Sequence, residues 1–539
     1  RTAPFLVRSL ALISLLSLVS GCEQQVTESM TVDLLITGGL VYDGSGDQAY
    51  AADIGISGGR IAFIGTAADS AIEAAETLGA GGLWVVPGFI DMHSHAELHL
   101  DYGRDASPYL HQGITTVVLG VDGDGEPNVA EQLADWESAG IGVNGLLYVG
   151  HGAIRSLVMG RENRPPTDEE LDVMRSLVRR AMEEGAFGLS TGLFYVPGTY
   201  ATTEEVIELT RVAAEFPGAI YDTHDRDLGA VYQGVGYDAS VAEGIRIGEE
   251  TGARVIFSHY NLQGARNRGR GDVGARYINE ARERGVDVWA AQHPYTATQS
   301  SLRAYTIPTW AAAGGDDAMV ARFDDPEENA RIVESMYEML EIRGGPEKIF
   351  LVDERPGLNG ITLAQYAREQ EVAPHEAVQE ILRGGNVKVM NLDLYDDANT
   401  RRLAQEPWMM TCTDGRTPRP DQPIAHPRTF GAFPMKFRRF VQEDSVLTTE
   451  DAIRSFSGLA ADFLRLPDRG YVRDGYVADL AIIDPRRYRD AATYEIPQLY
   501  AVGVEHVLLG GEFAVRDGEL TGRLPGAAIR RPTLESKQR

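Results

Sequence analysis

The feature that most constrains the fold is a long alternation of strand-like and helix-like segments between residues 88 and 467. Apolar runs of strand length alternate with amphipathic stretches such as 168–184 and 204–215. Eight such runs occur, at 85–92, 113–120, 142–150, 185–192, 219–224, 253–259, 286–292 and 408–414. Repeated strand–helix units favour a parallel sheet, and eight of them predict an α/β fold of the (β/α)8 type, similar to a TIM barrel.

The two ends of the chain have a different texture from this middle part. Residues 31–86 and 468–525 carry short strand patterns separated by Gly turns, which predict one small β-sandwich domain built from both ends. The barrel then takes residues 87–467. Within it, 297–386 is too long for a simple connection, and 387–393 is a ninth strand candidate. We therefore expect a lid-like insertion after strand seven, lying over the barrel mouth.

Residues 1–21 are predicted to be an export signal, because two arginines and an apolar run precede Cys22. The letters "LVSGC" resemble the lipobox of bacterial lipoproteins, in which the cysteine is lipidated. We expect residues 22–30 to be a tether and the protein to be anchored on the periplasmic side; an ordinary cleaved signal peptide is the alternative. A net charge of −29 argues against nucleic-acid partners and against membrane contact beyond this anchor.

Ionisable side chains recur where the predicted strands end. His93 and His95 end the first strand, where residues i and i+2 share one face. The corresponding positions on strands two, five, six and eight hold Asp122 or Asp124, His224, His259 and Asp414. Because active sites of such barrels lie at the carboxyl ends of the strands, we expect these side chains to meet. Imidazole and carboxylate ligands suit zinc or a similar divalent cation, with one or two ions per chain.

Several longer motifs are similar to those of the amidohydrolase superfamily, and in particular of its D-aminoacylase (N-acyl-D-amino-acid deacylase) family. They are spread over residues 31–485 and include "PGFIDMHSH", "GAFGLSTGLFYVPGTYATTEE", "YDTHDRD", "HPYTATQSSL" and "HPRTFGAFP". The resemblance implies a principal metal held by His224 and His259. It implies a second, weaker metal position between the His93–His95 pair and Asp414.

The chain departs from the family pattern at two places. Asp122 stands where the family has a cysteine after strand two; it ligates a metal, or it is only a turn residue beside one metal. The family's substrate-binding lysine after strand six is Asn261 here, whereas the substrate-binding arginine is retained as Arg428. The family's tyrosine is retained as Tyr195 and is implied to stabilise the oxyanion of the scissile carbonyl.

The predicted function is metal-dependent amide hydrolysis of N-acyl-D-amino acids, small-molecule substrates. Metal-activated water would attack the carbonyl, and Asp414 would act as general base and then as acid toward the leaving amine. One alternative is a cyclic-amide hydrolase, similar to dihydropyrimidinases and hydantoinases, or a dipeptidase-like enzyme on the same site. Another is a lipid-anchored binding protein without catalytic activity.

Overall fold

The computed structural model describes residues 30–70, 72–229, 235–420, 422–423 and 426–532, so the predicted signal peptide and the Cys22 anchor lie outside the described residues. Within these ranges, no helix combines the length and apolarity that a membrane crossing requires. The first segment forms five strands: β1 (Met30–Val41), β2 (Tyr50–Ser57), β3 (Arg60–Gly65), β4 (Ile72–Gly79) and β5 (Trp84–Pro87). Strand β1 pairs antiparallel with β2 and parallel with β4 and β5.

The run predicted as one strand over 85–92 is two strands in two different sheets, so this expectation was wrong. After β5, strand β6 (Phe89–Asp91) pairs in parallel with β7 (Ile114–Leu119). The chain crosses between the sheets at Gly88, where a Cβ atom would lie only 2.1 Å from Oγ1 of Thr115. Sequence pattern alone does not reveal the crossing, because both halves are apolar and buried.

The alternation of parallel strands and helices continues as predicted. The next strands are β8 (Asn144–Leu147), β9 (Val149–Gly150), β10 (Gly188–Gly192), β11 (Ile220–His224), β12 (Arg254–Phe257) and β13 (Val288–Gln292). The helices of this part are α1 (Ser107–Leu110), α2 (Val129–Ala139), α3 (His151–Met159), α4 (Asp168–Glu184), α5 (Thr203–Ala214), α6 (Gly236–Thr251) and α7 (Gly271–Glu283). The predicted strand over 142–150 is interrupted, since β8 pairs with β7 and β9 pairs with β10.

Helix α4 illustrates how local sequence fixes these elements. The hydroxyl of Thr167 accepts a hydrogen bond from the backbone N–H of Glu170, and the Glu170 carboxylate accepts one from the backbone of Thr167. Gly185 ends the helix in the left-handed conformation. The buried face of the helix is apolar and includes Met174 and Val178.

The predicted insertion is a separate small unit. It contains α8 (Leu302–Thr306), α9 (Asp316–Asp324), α10 (Pro326–Ile342), α11 (Leu363–Glu369) and α12 (Pro374–Arg383), with strands β14 (Thr298–Ser301), β15 (Ile349–Val352) and β16 (Lys388–Asn391), and is followed by α13 (Asp397–Ala404). The three strands form their own antiparallel sheet in the order β14-β16-β15. The ninth strand candidate, 387–393, therefore belongs to the insertion as β16 and not to the parallel strands.

Strand β17 (Met409–Thr411) is the eighth of the predicted parallel strands and pairs with β13. It also lies beside the first, because the backbone N–H of Met92 donates to Thr411 and that of Asp414 donates to His93. One buried apolar cluster takes a side chain from, or next to, each of the eight strands: Ile90, Val118, Leu146, Phe187, Ile220, Ile256, Ala291 and Met410.

The last part of the described chain forms helices and then strands that join the sheet of β1 and β5. Helices α14 (Arg428–Lys436), α15 (Thr449–Phe456) and α16 (Gly458–Leu464) are followed by β18 (Leu480–Ile483), β19 (Val504–Leu509), β20 (Glu512–Arg516) and β21 (Glu519–Leu520). Because β18 pairs with β5, strands from both ends of the described chain share one nine-stranded sheet.

Replacing Gly88 by Ala is expected to destabilise the protein, because the added methyl group overlaps the side chain of buried Thr115. Overpacking of this kind costs about 1–3 kcal/mol of unfolding free energy, which chemical denaturation can measure. Gly79→Ala is the matched control, since a Cβ atom there meets no atom within 4 Å. Equal stability of the two variants would contradict the tight crossing at residue 88.

Candidate metal centre

The ionisable residues predicted at the strand ends lie together. Strand β11 ends at His224, and the other residues follow their strands by two or three positions: His93 after β6, Asp122 after β7, His259 after β12 and Asp414 after β17. One detail of the expectation was wrong, since β6 ends at Asp91 and the His93–His95 pair leaves from the loop beyond it. Both imidazoles nevertheless face the same two carboxylates.

The carboxylate of Asp122 lies between three imidazoles. Its Oδ1 atom is 3.5 Å from Nε2 of His93 and 3.7 Å from Nε2 of His259. Its Oδ2 atom is 3.4 Å from Nε2 of His95. This placement favours Asp122 as a ligand and disfavours its interpretation as a simple turn residue. Asp124 lines the cavity that opens at this site. It belongs to neither of the two groups of candidate ligand atoms that are found among the described residues.

Asp414 forms the second carboxylate of the site. Its Oδ1 atom lies 3.7 Å from Nε2 of His93 and 3.5 Å from Nε2 of His95. Two groups of possible ligand atoms result, each within 4.8 Å: His93, Asp122 and His259, and His93, His95 and Asp414. The two groups share His93, as expected for one ion or for two neighbouring ions.

The donor atoms of this site fit a divalent cation. Both ring nitrogens of His93, Oδ1 of Asp122 and Nδ1 of His259 are buried and lack a hydrogen-bond partner among the described residues. Buried polar atoms without partners are costly, and a cation coordinated by Oδ1 of Asp122 and by one ring nitrogen of each histidine would remove part of that cost. Imidazole nitrogen and carboxylate oxygen are the ligand types that zinc and similar metals prefer in proteins.

His224 stands slightly apart from the two groups. Its ring centre lies 4.5 Å from that of His259, but its nitrogens belong to neither group of ligand atoms. The Nδ1 atom lies 3.0 Å from the carbonyl oxygen of Asp225, which can only accept a hydrogen bond. Nδ1 therefore carries the proton, and Nε2 keeps its lone pair for a metal or a substrate.

The backbone is strained where the ligands are held. Nine non-glycine residues in the described part of the chain have positive φ angles, and three of them are Asp122 (57°), His259 (34°) and Asp414 (51°). Such conformations cost of order 1–3 kcal/mol each and are typical of functional sites. At these positive φ angles, the three side chains leave the direction of their strands and face the site.

Two buried carboxylates below the site fix these loops. Asp91 accepts hydrogen bonds from the backbone N–H and the hydroxyl of Thr413, which joins the first strand to the loop of Asp414. Asp222 accepts a hydrogen bond from Ser190, and the Ser190 oxygen accepts the N–H of Gly123, next to Asp122. The positions of Asp122 and Asp414 are thus set by hydrogen bonds from outside their own loops.

The electrostatics of the site favour positive charge between the two aspartates. Burial raises the pKa of Asp122, but His93, His259 and His95 together bring it well below its usual value. Burial likewise raises the pKa of Asp414, but Arg428 and the histidines bring it far below the usual range. Burial lowers the pKa of His95, whereas hydrogen bonds to both aspartates raise it to about 9.

Two of the three predicted substrate-binding residues line the cavity beside the metal site, and the third does not. Tyr195 and Arg428 line an open cavity of about 290 Å³ together with Asp122, His259 and Asp414. Asn261 does not line it, because its buried amide donates to the hydroxyl of Thr400, 2.7 Å away. The Asn261 amide is thus engaged by Thr400 in this structure, and its role as a substrate contact stays a prediction. Arg428 also donates a hydrogen bond to Oδ2 of Asp414.

Sequence reasoning missed two residues of this cavity region. His293 directly follows β13, and its Nε2 atom lies 3.9 Å from Oδ2 of Asp414. The strand-end rule that found the other histidines would have found it too. Lys388, on β16 of the insertion, lines the same cavity. No local pattern marks Lys388, since its position depends on how the insertion packs.

Comparisons with known proteins agree with this site. A sequence profile described as amidohydrolase family matches residues 76–515. A D-aminoacylase from Alcaligenes xylosoxydans xylosoxydans is 32% identical, covering 94% of this chain and 99% of that protein. An N-acyl-D-aspartate deacylase from the same organism is 31% identical, with coverage of 92% and 95%.

Solved structures give the same result. The crystal structure of N-acyl-D-glutamate deacylase from Bordetella bronchiseptica, complexed with zinc and a phosphonate mimic of the tetrahedral intermediate, matches with a TM-score of 0.77. The sequence identity is 28%, over 93% of this chain and 100% of that one. The chain therefore belongs to the amidohydrolase family, and its predicted resemblance to D-aminoacylases is confirmed.

Replacing Asp122 by Asn is expected to weaken divalent-metal binding at least about tenfold, because it removes the negative charge of the carboxylate that faces three imidazoles. Asn tolerates the positive φ angle of this position, so the backbone is retained. Metal content by mass spectrometry and affinity by chelator competition measure the effect. Asp124→Asn is the control and should keep the affinity of the parent; a larger loss in that variant would contradict the assignment.

Proposed function

We propose that the protein is a metal-dependent hydrolase that removes the acyl group from N-acyl-D-amino acids. The observation that carries the proposal is the meeting of His93, His95, His259, Asp122 and Asp414 in a cavity that Tyr195 and Arg428 also line. The relatives named D-aminoacylase and N-acyl-D-aspartate deacylase support the choice of a linear N-acyl amide as substrate.

Zinc is the proposed metal, held by His93, Asp122 and His259, with His224 close by and a second position at His93, His95 and Asp414. A divalent cation there supplies a Lewis acid that polarises the carbonyl and makes water more acidic. The zinc in the related deacylase structure supports this choice of metal.

Asp414 is proposed as the general base. Against the effect of burial, Arg428 and the histidines hold its pKa far below the usual range, so the carboxylate is ionised at neutral pH but only weakly basic. It would accept a proton from a water that the cation makes more acidic and would return it to the leaving amine. The hydrogen bond from Arg428 holds this carboxylate at the cavity, and His293 lies beside it with Nε2 3.9 Å from Oδ2 of Asp414. Burial first and the charge of Arg428 second lower the pKa of His293 to about 3, so its ring is neutral.

Tyr195 is proposed to donate a hydrogen bond to the substrate carbonyl. Its ring centre lies 4.8 Å from that of His224, on the cavity wall. Burial and the charge of Asp122 raise its pKa well above 10, so the phenol keeps its proton at neutral pH. A phenol held in place before the reaction stabilises the negative charge that develops on the carbonyl oxygen.

Arg428 is proposed to bind the α-carboxylate of the substrate. A guanidinium carries five N–H donors, and one is used by Asp414, so others remain for a carboxylate in the cavity. This arrangement orients the amino acid with its acyl nitrogen toward Asp414 and its acyl carbonyl toward Tyr195.

The same proposal includes the architecture around the site. We infer that the eight parallel strands form a closed barrel over 87–467, which the hydrogen bonds between residues 92 and 411 and between 414 and 93 support. We infer a small β domain from 31–86 and 468–525, and a lid over 297–386. A lipid anchor on Cys22 and a periplasmic location remain predictions, because residues 1–29 lie outside the described residues.

Asp414→Asn is expected to lower kcat for an N-acetyl-D-amino acid by about 10²–10⁴-fold, because the general base is lost. Asn accepts the positive φ angle at this position. The parent and the variant are assayed on N-acetyl-D- and N-acetyl-L-amino acids, dihydrouracil and dipeptides, with metal content measured on the same samples.

Turnover of the N-acetyl-D-amino acids that is lost in the metal-loaded variant supports the proposal. Hydrolysis restricted to dihydrouracil would indicate a cyclic-amide hydrolase instead. No hydrolysis of any of these amides by the metal-loaded parent would favour a binding protein.

Tyr195→Phe is expected to lower kcat by roughly 10²-fold with little change in KM, because only the hydrogen bond to the developing oxyanion is lost. Steady-state kinetics on the same N-acetyl-D-amino acid measures both constants. Tyr200→Phe is a control on the same loop, since the Tyr200 hydroxyl donates to the backbone of Thr309 and Tyr200 is not among the residues lining the cavity. A rise in KM alone would assign Tyr195 to substrate packing.

A further inference from the structure

The catalytic cavity continues into a second compartment that is unusually basic. Four residues line both spaces: Gln299, Lys388, Arg416 and Arg428. Beyond them, Arg419 lines the second compartment only. Among the described residues of this lining there are four cationic side chains and a single acidic one, Glu97. In a chain with a net charge of −29, such a concentration of positive charge is typical of an anion-binding site.

Among the described residues, two of these four cations are paired with a carboxylate and two are not. Glu97 forms an ion pair with Arg416, and Arg428 donates to Asp414. Neither Lys388 nor Arg419 has an ion pair among the described residues, although most arginines on the described surface do. Burial, followed by the charge of Arg416, lowers the pKa of Lys388, so these cations repel one another without a ligand.

The position of Arg428 decides which part of the substrate would reach this compartment. In the proposed function, Arg428 holds the α-carboxylate, while the acyl carbonyl faces Tyr195. The side chain leaves the same carbon atom as the α-carboxylate, whereas the acyl group lies across the amide bond. Because Arg428 belongs to both spaces, the amino-acid side chain is the part of the substrate nearest to Lys388 and Arg419.

We propose that Lys388 and Arg419, with Arg416 beside them, bind a carboxylate on the side chain of the substrate, so that acidic N-acyl-D-amino acids are preferred. This inference rests on the proposed deacylase function and adds its substrate class. Lys388 comes from the insertion and Arg419 from the loop after β17, so two separate segments would be joined by one anion. Lys388 is thus a specificity residue and takes no part in the chemistry.

The test compares matched pairs of substrates that differ only in side-chain charge: N-acetyl-D-glutamate with N-acetyl-D-glutamine, and N-acetyl-D-aspartate with N-acetyl-D-asparagine. The parent protein should prefer the acidic member at least about tenfold in kcat/KM, as expected for a hydrogen bond to a charged group. Lys388→Gln and Arg419→Gln should each lower this ratio roughly tenfold through KM of the acidic substrate. The kcat and KM values for N-acetyl-D-glutamine and N-acetyl-D-asparagine, whose side chains are uncharged, should stay unchanged.

Lys348→Gln is the matched control, because this lysine lies in the same insertion, pairs with Asp393 2.8 Å away and is not among the residues lining either space. It should keep the preference of the parent. Calorimetric binding of D-glutamate against D-glutamine to the metal-loaded full chain gives a second reading that does not need turnover.

The outcomes separate this inference from the proposed function. Efficient deacylation of neutral substrates with no acidic preference, and equal binding of the two amino acids, would overturn the acidic compartment and leave the deacylase function intact. No deacylation of any N-acyl-D-amino acid would overturn the function and the inference together. An equal fall for acidic and amide substrates in Lys388→Gln would reduce Lys388 to a structural residue.

Discussion

The structure depends on two buried carboxylates, Asp122 and Asp414, that share the same imidazoles. Burying negative charge is expensive unless positive charge compensates it, and neutral histidines do not supply that compensation. Among the described residues, the guanidinium of Arg428 balances them together with the histidines, since the two aspartates raise the pKa of His93 and of His95 against the effect of burial. A divalent cation would satisfy both aspartates and one ring nitrogen of each histidine that binds it. This need explains why ligands from five distant segments lie within one site.

Holding these ligands requires support from the rest of the fold. The positive φ angles of Asp122, His259 and Asp414 are unfavourable locally and persist only because surrounding contacts fix them. Asp91 and Asp222 provide such contacts, through hydrogen bonds that cross between neighbouring strands. Both lie directly beneath the site and are fully buried. The hydrogen-bonded strands therefore hold the ligand loops in a strained conformation that the loops would not keep by themselves.

The strand-end rule predicted most of the site from sequence alone, because strand position and side-chain chemistry are both local properties. It placed His224 and His259 at strand ends and left Asp122 or Asp124 as the candidate after strand two, where the family resemblance pointed to Asp122. It failed where the outcome depends on non-local packing. The apolar run 85–92 gives no sign that Gly88 carries the chain between two sheets. Likewise, nothing near Asn261 indicates that its amide is taken by Thr400.

The proposed role of Lys388 separates substrate choice from the chemistry of the metal centre. The metal ligands come from the ends of the parallel strands, whereas Lys388 belongs to an insertion with its own antiparallel sheet and its own apolar core. Asn261 has lost the charge expected after strand six, and Lys388 brings a charge to another wall of the same cavity. The charges that act on Lys388 are those of Arg416, Glu97 and Arg419, and none of these three residues is a candidate metal ligand. Specificity can therefore move between walls of the cavity without cost to the metal centre.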